Sequence, residues 1–177
     1  MAGEHWQTTA AERERRLPCD DLVPTGQLLT RGVDTQADPA TAFRWLCQLR
    51  VAPYSYDWID NLGRPSPREL TPGLERLEVG QRFMTVFGLA GFAAAEHLTV
   101  AVQGRSFGAV AITYAVPPGR ILMRIRIAHP GPAPERRLRA AAFPALDLVM
   151  ARRQLLNLSE RAGAAPPGAR APADRVP

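Results

Sequence analysis

From Leu77 onward the apolar residues recur at every second position, and a long segment at helical spacing follows. A chain with that change of period can fold into few things. Val79 to Val86, Glu96 to Gln103, Phe107 to Val116 and Arg120 to Ala128 read as four consecutive strands separated by Gly-containing connections, the pattern of an antiparallel meander. Pro117-Pro118-Gly119 is the clearest turn. In the last strand Ile121, Met123, Ile125 and Ile127 share one face while Leu122, Arg124, Arg126 and Ala128 share the other, so one face is expected to be wet and one covered. The expected cover is Glu135 to Arg161, with Leu138, Ala142, Ala145, Val149 and Leu156 on one stripe. Pro144 interrupts that helix, which predicts a kink with about 17 residues, roughly 26 Å, beyond it.

Ahead of the meander, Gln27 to Asp34 alternates as a first strand. Asp38-Pro39 supplies an N-cap acceptor and a residue suited to the first helical position, and Ala42, Trp45, Leu46 and Leu49 follow at helical spacing until Pro53. Tyr54 to Asn61 predicts a helical turn or two, and Ser66 to Glu69 a shorter one. The organisation is therefore a polar amino-terminal arm over residues 1–24, one domain over 25–162 and a tail over 163–177. That tail is nearly all Gly, Ala, Pro, Arg and Asp, which predicts disorder.

Composition removes several classes. With 177 residues, 46% of them apolar, the chain has room for one core burying roughly 68–70% of the unfolded surface. Cys19 and Cys47 are the only cysteines, too few for a disulfide framework or a Cys-rich zinc site, and a reducing, cytoplasmic setting is the expectation. Residues 1–16 lack the apolar core of a secretory signal. The longest apolar run, Phe83 to Ala95, has 13 residues, below the roughly 18 needed to span a bilayer, so no stable membrane insertion is expected. All 22 basic residues are Arg, with Ala and Pro abundant, a bias that genome composition produces unaided, so the net charge of +5 carries little. No aromatic residue interleaves the cationic clusters at Arg124/Arg126 and Arg136/Arg137/Arg139, which argues against nucleic acid.

The stretch from Trp45 through Pro53-Tyr54-Ser55-Tyr56-Asp57-Trp58-Ile59-Asp60 to Arg64, followed by Ser66-Pro-Arg-Glu-Leu70, resembles a group of uncharacterised bacterial members of the START-like (SRPBCC, helix-grip) superfamily, which includes polyketide cyclases and lipid-transfer domains. Ala151-Arg-Arg-Gln-Leu-Leu156 resembles that group's final helix. The resemblance covers about residues 25 to 160. It implies an α+β fold in which a curved antiparallel sheet wraps a long carboxy-terminal helix, with two short helices after the first strand and a cavity between sheet and helix. The superfamily places six strands after those helices. Four are counted here, or five with Leu74 to Glu78, which implies a smaller or more open pocket.

Chemistry-bearing residues are sparse. Gly104-Arg-Ser106-Phe-Gly108 matches the G-x-S-x-G nucleophile elbow, but strands flank it on both sides and the order Ser, Asp, His cannot be completed downstream; it reads as a hairpin turn. His5, His97 and His129 stand far apart, so neither metal nor other cofactor is expected. Tyr54, Tyr56, Asp57, Trp58 and Asp60 put amphipathic rings beside carboxylates, as at a pocket mouth; the alternative is that the rings anchor the connection while the acids cap turns or pair with Arg50, Arg64 or Arg68. Phe83, Met84, Phe87, Phe92, Met123 and Ile125 are the expected apolar lining.

The expected function is non-covalent binding of a hydrophobic small molecule, a lipid, polyketide or aromatic metabolite. One alternative is a metal-free cyclase or dehydratase in which Asp57 or Glu96 and a Tyr move protons. Another is a partner-binding or chaperone-like domain, marked by an exposed apolar patch over a collapsed pocket. The sequence leaves oligomeric state open.

Overall fold

The computed structural model describes residues 3–56, 58, 63–104 and 108–164. Its sheet strands are β1 (His5–Trp6), β2 (Gln27–Asp34), β3 (Arg82–Phe83), β4 (Phe87–Ala93), β5 (His97–Gly104), β6 (Gly108–Ala115) and β7 (Arg120–Ala128). They form one curved, open sheet in the order β1-β2-β7-β6-β5-β4-β3, antiparallel throughout except that β1 runs parallel to β2. The helices are α1 (Ala10–Glu14), α2 (Cys19–Leu22), α3 (Pro39–Cys47) and α4 (Ala133–Ala164). This is an α+β domain in which one long terminal helix crosses an antiparallel sheet.

The meander differs from expectation at its start. Val79 to Val86 holds only the two-residue β3, whereas the apolar run after it forms β4, and Leu74 to Glu78 is no strand. Among the described residues five strands therefore follow α3. Gly88, Gly91 and a register shift between Leu89 and Gly91 blur the alternation on which the reading depended. Gly104 pairs with Gly108 across the β5/β6 hairpin. Ser106 lies outside the described residues. Gly108 has φ +73°, and a Cβ there would collide with the Ala128 carbonyl oxygen, so this glycine serves a close approach of strands.

Helix α3 begins as its sequence dictates: the Asp38 carboxylate accepts the Thr41 amide at 2.9 Å, and Pro39 occupies the first turn. It ends at Cys47, with a single 3₁₀ turn over Gln48–Arg50. Of the second short helix expected over Tyr54 to Asn61, residues 57 and 59–61 lie outside the described residues, and Tyr54 to Tyr56 are not helical.

The arm packs onto the sheet face that was expected to be wet. Thr9 and Glu12 form a reciprocal capping box that starts α1. Leu17, Cys19 and Val23 then cover Ala111, Ala115 and Leu122. Arg124, only 2% exposed, donates to the carbonyls of Glu12, Arg13 and Arg15 at the open end of α1, and to the Asp20 carboxylate at 2.8 Å. Asp20 also takes the Arg126 guanidinium at 2.7 Å and the Leu17 amide at 2.9 Å.

On the other face, α4 packs against β2 and α3. Its inward residues are Pro144, Ala151, Leu155, Leu158 and Ala162, while the stripe assigned to the core, Leu138, Ala142, Ala145, Val149 and Leu156, faces solvent. The helix is apolar on both sides, and polar bonds choose between them: Asp147 pairs with Arg31, and Gln154 bonds Tyr114 and Pro53. Pro144 does not break the helix. It has no N–H to offer the Ala140 carbonyl, and Gln27 Nε2 donates to that oxygen instead at 2.9 Å. The helix continues to Ala164, two residues into the segment read as tail.

Candidate functional site

A partly enclosed cavity of about 540 Å³ lies between the sheet and α4. Alternation of the strands supplies its floor. Val110, Ile112 and Tyr114 come from β6, Met123, Ile125 and Ile127 from β7, Val102 from β5 and Phe87 from β4. Helical spacing supplies its roof, through Phe143, Asp147, Met150, Ala151 and Gln154. Pro53, Ser55, Met84, Thr85 and Val86 complete the wall from the loops.

Two polar sets interrupt the apolar lining. Asp147 Oδ2 receives Arg31 Nε at 3.1 Å and Nη2 at 2.8 Å. The remaining nitrogen, Nη1, donates to the Glu4 carbonyl at 3.2 Å, and Nη2 also reaches the Pro144 carbonyl at 3.2 Å. The Arg31 side chain is wholly buried. Burial pushes the Asp147 carboxyl upward, and the Arg31 guanidinium resists that shift. In the second set Tyr114 donates its hydroxyl to Gln154 Oε1 at 2.7 Å, while Gln154 Nε2 donates to the Pro53 carbonyl at 2.6 Å. Burial, reinforced by the negative charge of Asp147, moves the Tyr114 hydroxyl well above its ordinary pKa, so it stays protonated.

Of the residues proposed from sequence, Met84, Phe87, Met123 and Ile125 line this cavity. Phe83 is fully buried in the core but is not part of the wall. Tyr54 is also fully buried, edge-on to Trp45 at 6.0 Å and beneath the Arg161 guanidinium at 5.4 Å, so it anchors the connection. Tyr56 is half-buried and outside the lining; Trp58 is 75% exposed. Phe92 is 40% exposed on β4 because the bulge shifts its register, and Glu96 is exposed in the turn before β5 rather than within the strand. Neither reaches the cavity. Asp57 and Asp60 lie outside the described residues.

Sequence reading missed Asp147, Gln154, Tyr114 and Arg31. Ile127 was legible, since it continues the Met123/Ile125 face. Phe143, Asp147, Met150, Ala151 and Gln154 also share helical spacing, but scoring apolar content alone favoured the opposite stripe.

A second hollow of about 550 Å³ lies on the other sheet face, bounded by Arg16, Leu17, Pro18, Asp21 and Leu22 and by Ala90, Gly91, His97 and Thr99. An exposed Arg16–Asp21 ion pair forms part of its wall, so it is wetter than the internal cavity. Among the described residues no group of three or more His, Cys, Asp and Glu could hold a metal ion, and no helix is long and apolar enough to cross a membrane. No protein-family model matches this chain and no curated protein is significantly similar to it. The class defined by fold and site is thus a sheet-and-helix domain enclosing an apolar cavity with one polar side.

Proposed function

We propose that this domain holds an uncleaved hydrophobic small molecule between the sheet and α4, in the manner of helix-grip proteins. The observation that carries the reading is the cavity itself: about 540 Å³, walled by Val, Ile, Met and Phe side chains, with polar groups confined to Asp147, Tyr114, Gln154 and the loop hydroxyls. The START-like resemblance in Trp45 to Leu70 and the order of elements support it. Two free, buried cysteines fit a reducing compartment.

The enzyme alternative now centres on Asp147, a buried acid facing the cavity, rather than on Asp57 or Glu96. Its bond to Arg31 and the commitment of the Tyr114 proton to Gln154 oppose proton transfer, so binding is the preferred role. The partner-binding alternative requires a collapsed pocket. The cavity is open, although Leu138, Leu146 and Val149 are exposed on α4.

Native mass spectrometry of protein purified from its own host, followed by organic extraction, tests the proposal. A stoichiometric apolar compound, released on unfolding, is the expected result. Repeated recovery of empty protein that also binds no added apolar probe would overturn it.

A further inference from the structure

The polar groups of the cavity differ in what they still have to offer. Both donating nitrogens and hydroxyls of the inner set are spent within the protein: Gln154 Nε2 on the Pro53 carbonyl and, at 3.5 Å, on the Met84 sulfur, and the Tyr114 hydroxyl on Gln154 Oε1. Arg31 stands behind the wall, wholly buried, with every nitrogen directed at Asp147 Oδ2, the Glu4 carbonyl or the Pro144 carbonyl. No described Arg or His lines the cavity. What remains open is acceptor capacity. Asp147 Oδ1 has no partner among the described residues, and the Tyr114 oxygen keeps its lone pairs.

Resting on the reading of the cavity as a ligand site, we infer that its occupant is an uncharged apolar molecule bearing a hydroxyl group, which donates its hydrogen to Asp147 Oδ1. A carboxylate or phosphate would bring its charge beside an anionic oxygen with no free donor to meet it, and that burial is unfavourable. An ammonium group would meet Asp147, but Arg31 already neutralises that carboxylate within 2.8 Å, so a second cation would be desolvated without a counter-ion of its own. A bare hydrocarbon would fit the lining yet leave the acceptors unsatisfied. Of the other hydroxyls in the wall, Ser55 is engaged within the protein and Thr85 is exposed, so neither alters the balance inside.

The test is a series of probes on one ring skeleton, titrated calorimetrically at neutral pH: naphthalene, 2-naphthol, 2-naphthoate and 2-(aminomethyl)naphthalene. Binding of 2-naphthol at least tenfold tighter than each of the other three is expected. In the double variant Arg31→Met/Asp147→Leu, the ratio of naphthol to naphthalene affinity should fall below about threefold, a readout that mere loosening of the cavity would not move. Should that variant fail to fold by circular dichroism, the wild-type series decides alone. Equal or tighter binding of 2-naphthoate, or an unchanged ratio in the folded variant, overturns the inference while leaving the cavity as a ligand site. Failure of all four probes to bind overturns both.

Discussion

Arg124 shows how much one residue can commit. Its side chain ties β7 to three carbonyls of the α1 end and to Asp20. Arg124→Met should lower unfolding free energy by about 3–5 kcal/mol in urea titration, because it takes one of two guanidiniums from a buried carboxylate and leaves three carbonyls without this donor. Asp20 makes the same contact sensitive to acid. Burial pulls its carboxyl upward, but the Leu17 amide and the Arg126 and Arg124 guanidiniums outweigh that, holding it below the ordinary 3.8. A depressed carboxyl contributes stability that is present above the unfolded value and lost as pH falls through the folded one. The urea midpoint should therefore drop as pH falls below about 4, and less steeply in Asp20→Asn. Asp147, shifted upward, works in the opposite sense and so cannot be the source of that drop. None of this pairing was legible from residue order, since Arg124 and Asp20 lie far apart in the chain and alternation alone marks an Arg as solvent-facing.

Among elements, α4 is the instructive case. Its extent and role were readable from spacing, and so were the bounds of β2 and β7, the latter from its sustained alternation. Its orientation was not. Two apolar stripes compete on that helix, and a polar residue at the centre of the inward one, Asp147, lowers that stripe's apolar score while fixing it in place through Arg31. Pro144 carries a similar lesson: the lost backbone bond was foreseeable, but its replacement by a glutamine from β2 was not. Gln27 Nε2 serves the orphaned Ala140 carbonyl while Gln27 Oε1 meets His129 Nε2 at 2.8 Å. Gln27→Leu should cost about 1–3 kcal/mol. In a Pro144→Ala background, where position 144 regains its N–H, the cost should be smaller. A double-mutant cycle read by thermal unfolding should give a coupling of about 0.5–2 kcal/mol; zero coupling would mean that Gln27 acts elsewhere.

At the scale of the molecule, the sheet has two covered faces, an arm on one and a long helix on the other; the space beneath the helix is walled mainly by apolar side chains, whereas the hollow beside the arm is edged by the exposed Arg16–Asp21 pair. The arm's place on the sheet is hard to read from sequence because its apolar residues, Leu17, Cys19 and Val23, are few and embedded among charges. The lining from Met84, Phe87, Met123 and Ile125 was visible through side-chain type. The cavity's polar side came from long-range partners that no local pattern marks. Ile112→Trp, projecting from the middle of the floor, should keep or raise the melting temperature by filling space, and abolish 2-naphthol binding. Retained binding in that variant would place the ligand outside the cavity.

The guanidinium that steadies Asp147 also grips the Glu4 carbonyl beside β1. Tenancy of the hollow and fastening of that outer segment thus share a single mooring, and whatever tightens one must, by reciprocity, tighten the other. Amide exchange at Thr30, whose N–H is bonded to the same Glu4 oxygen at 2.9 Å, should slow when 2-naphthol is present. An exchange rate indifferent to the probe would show the two to be moored separately.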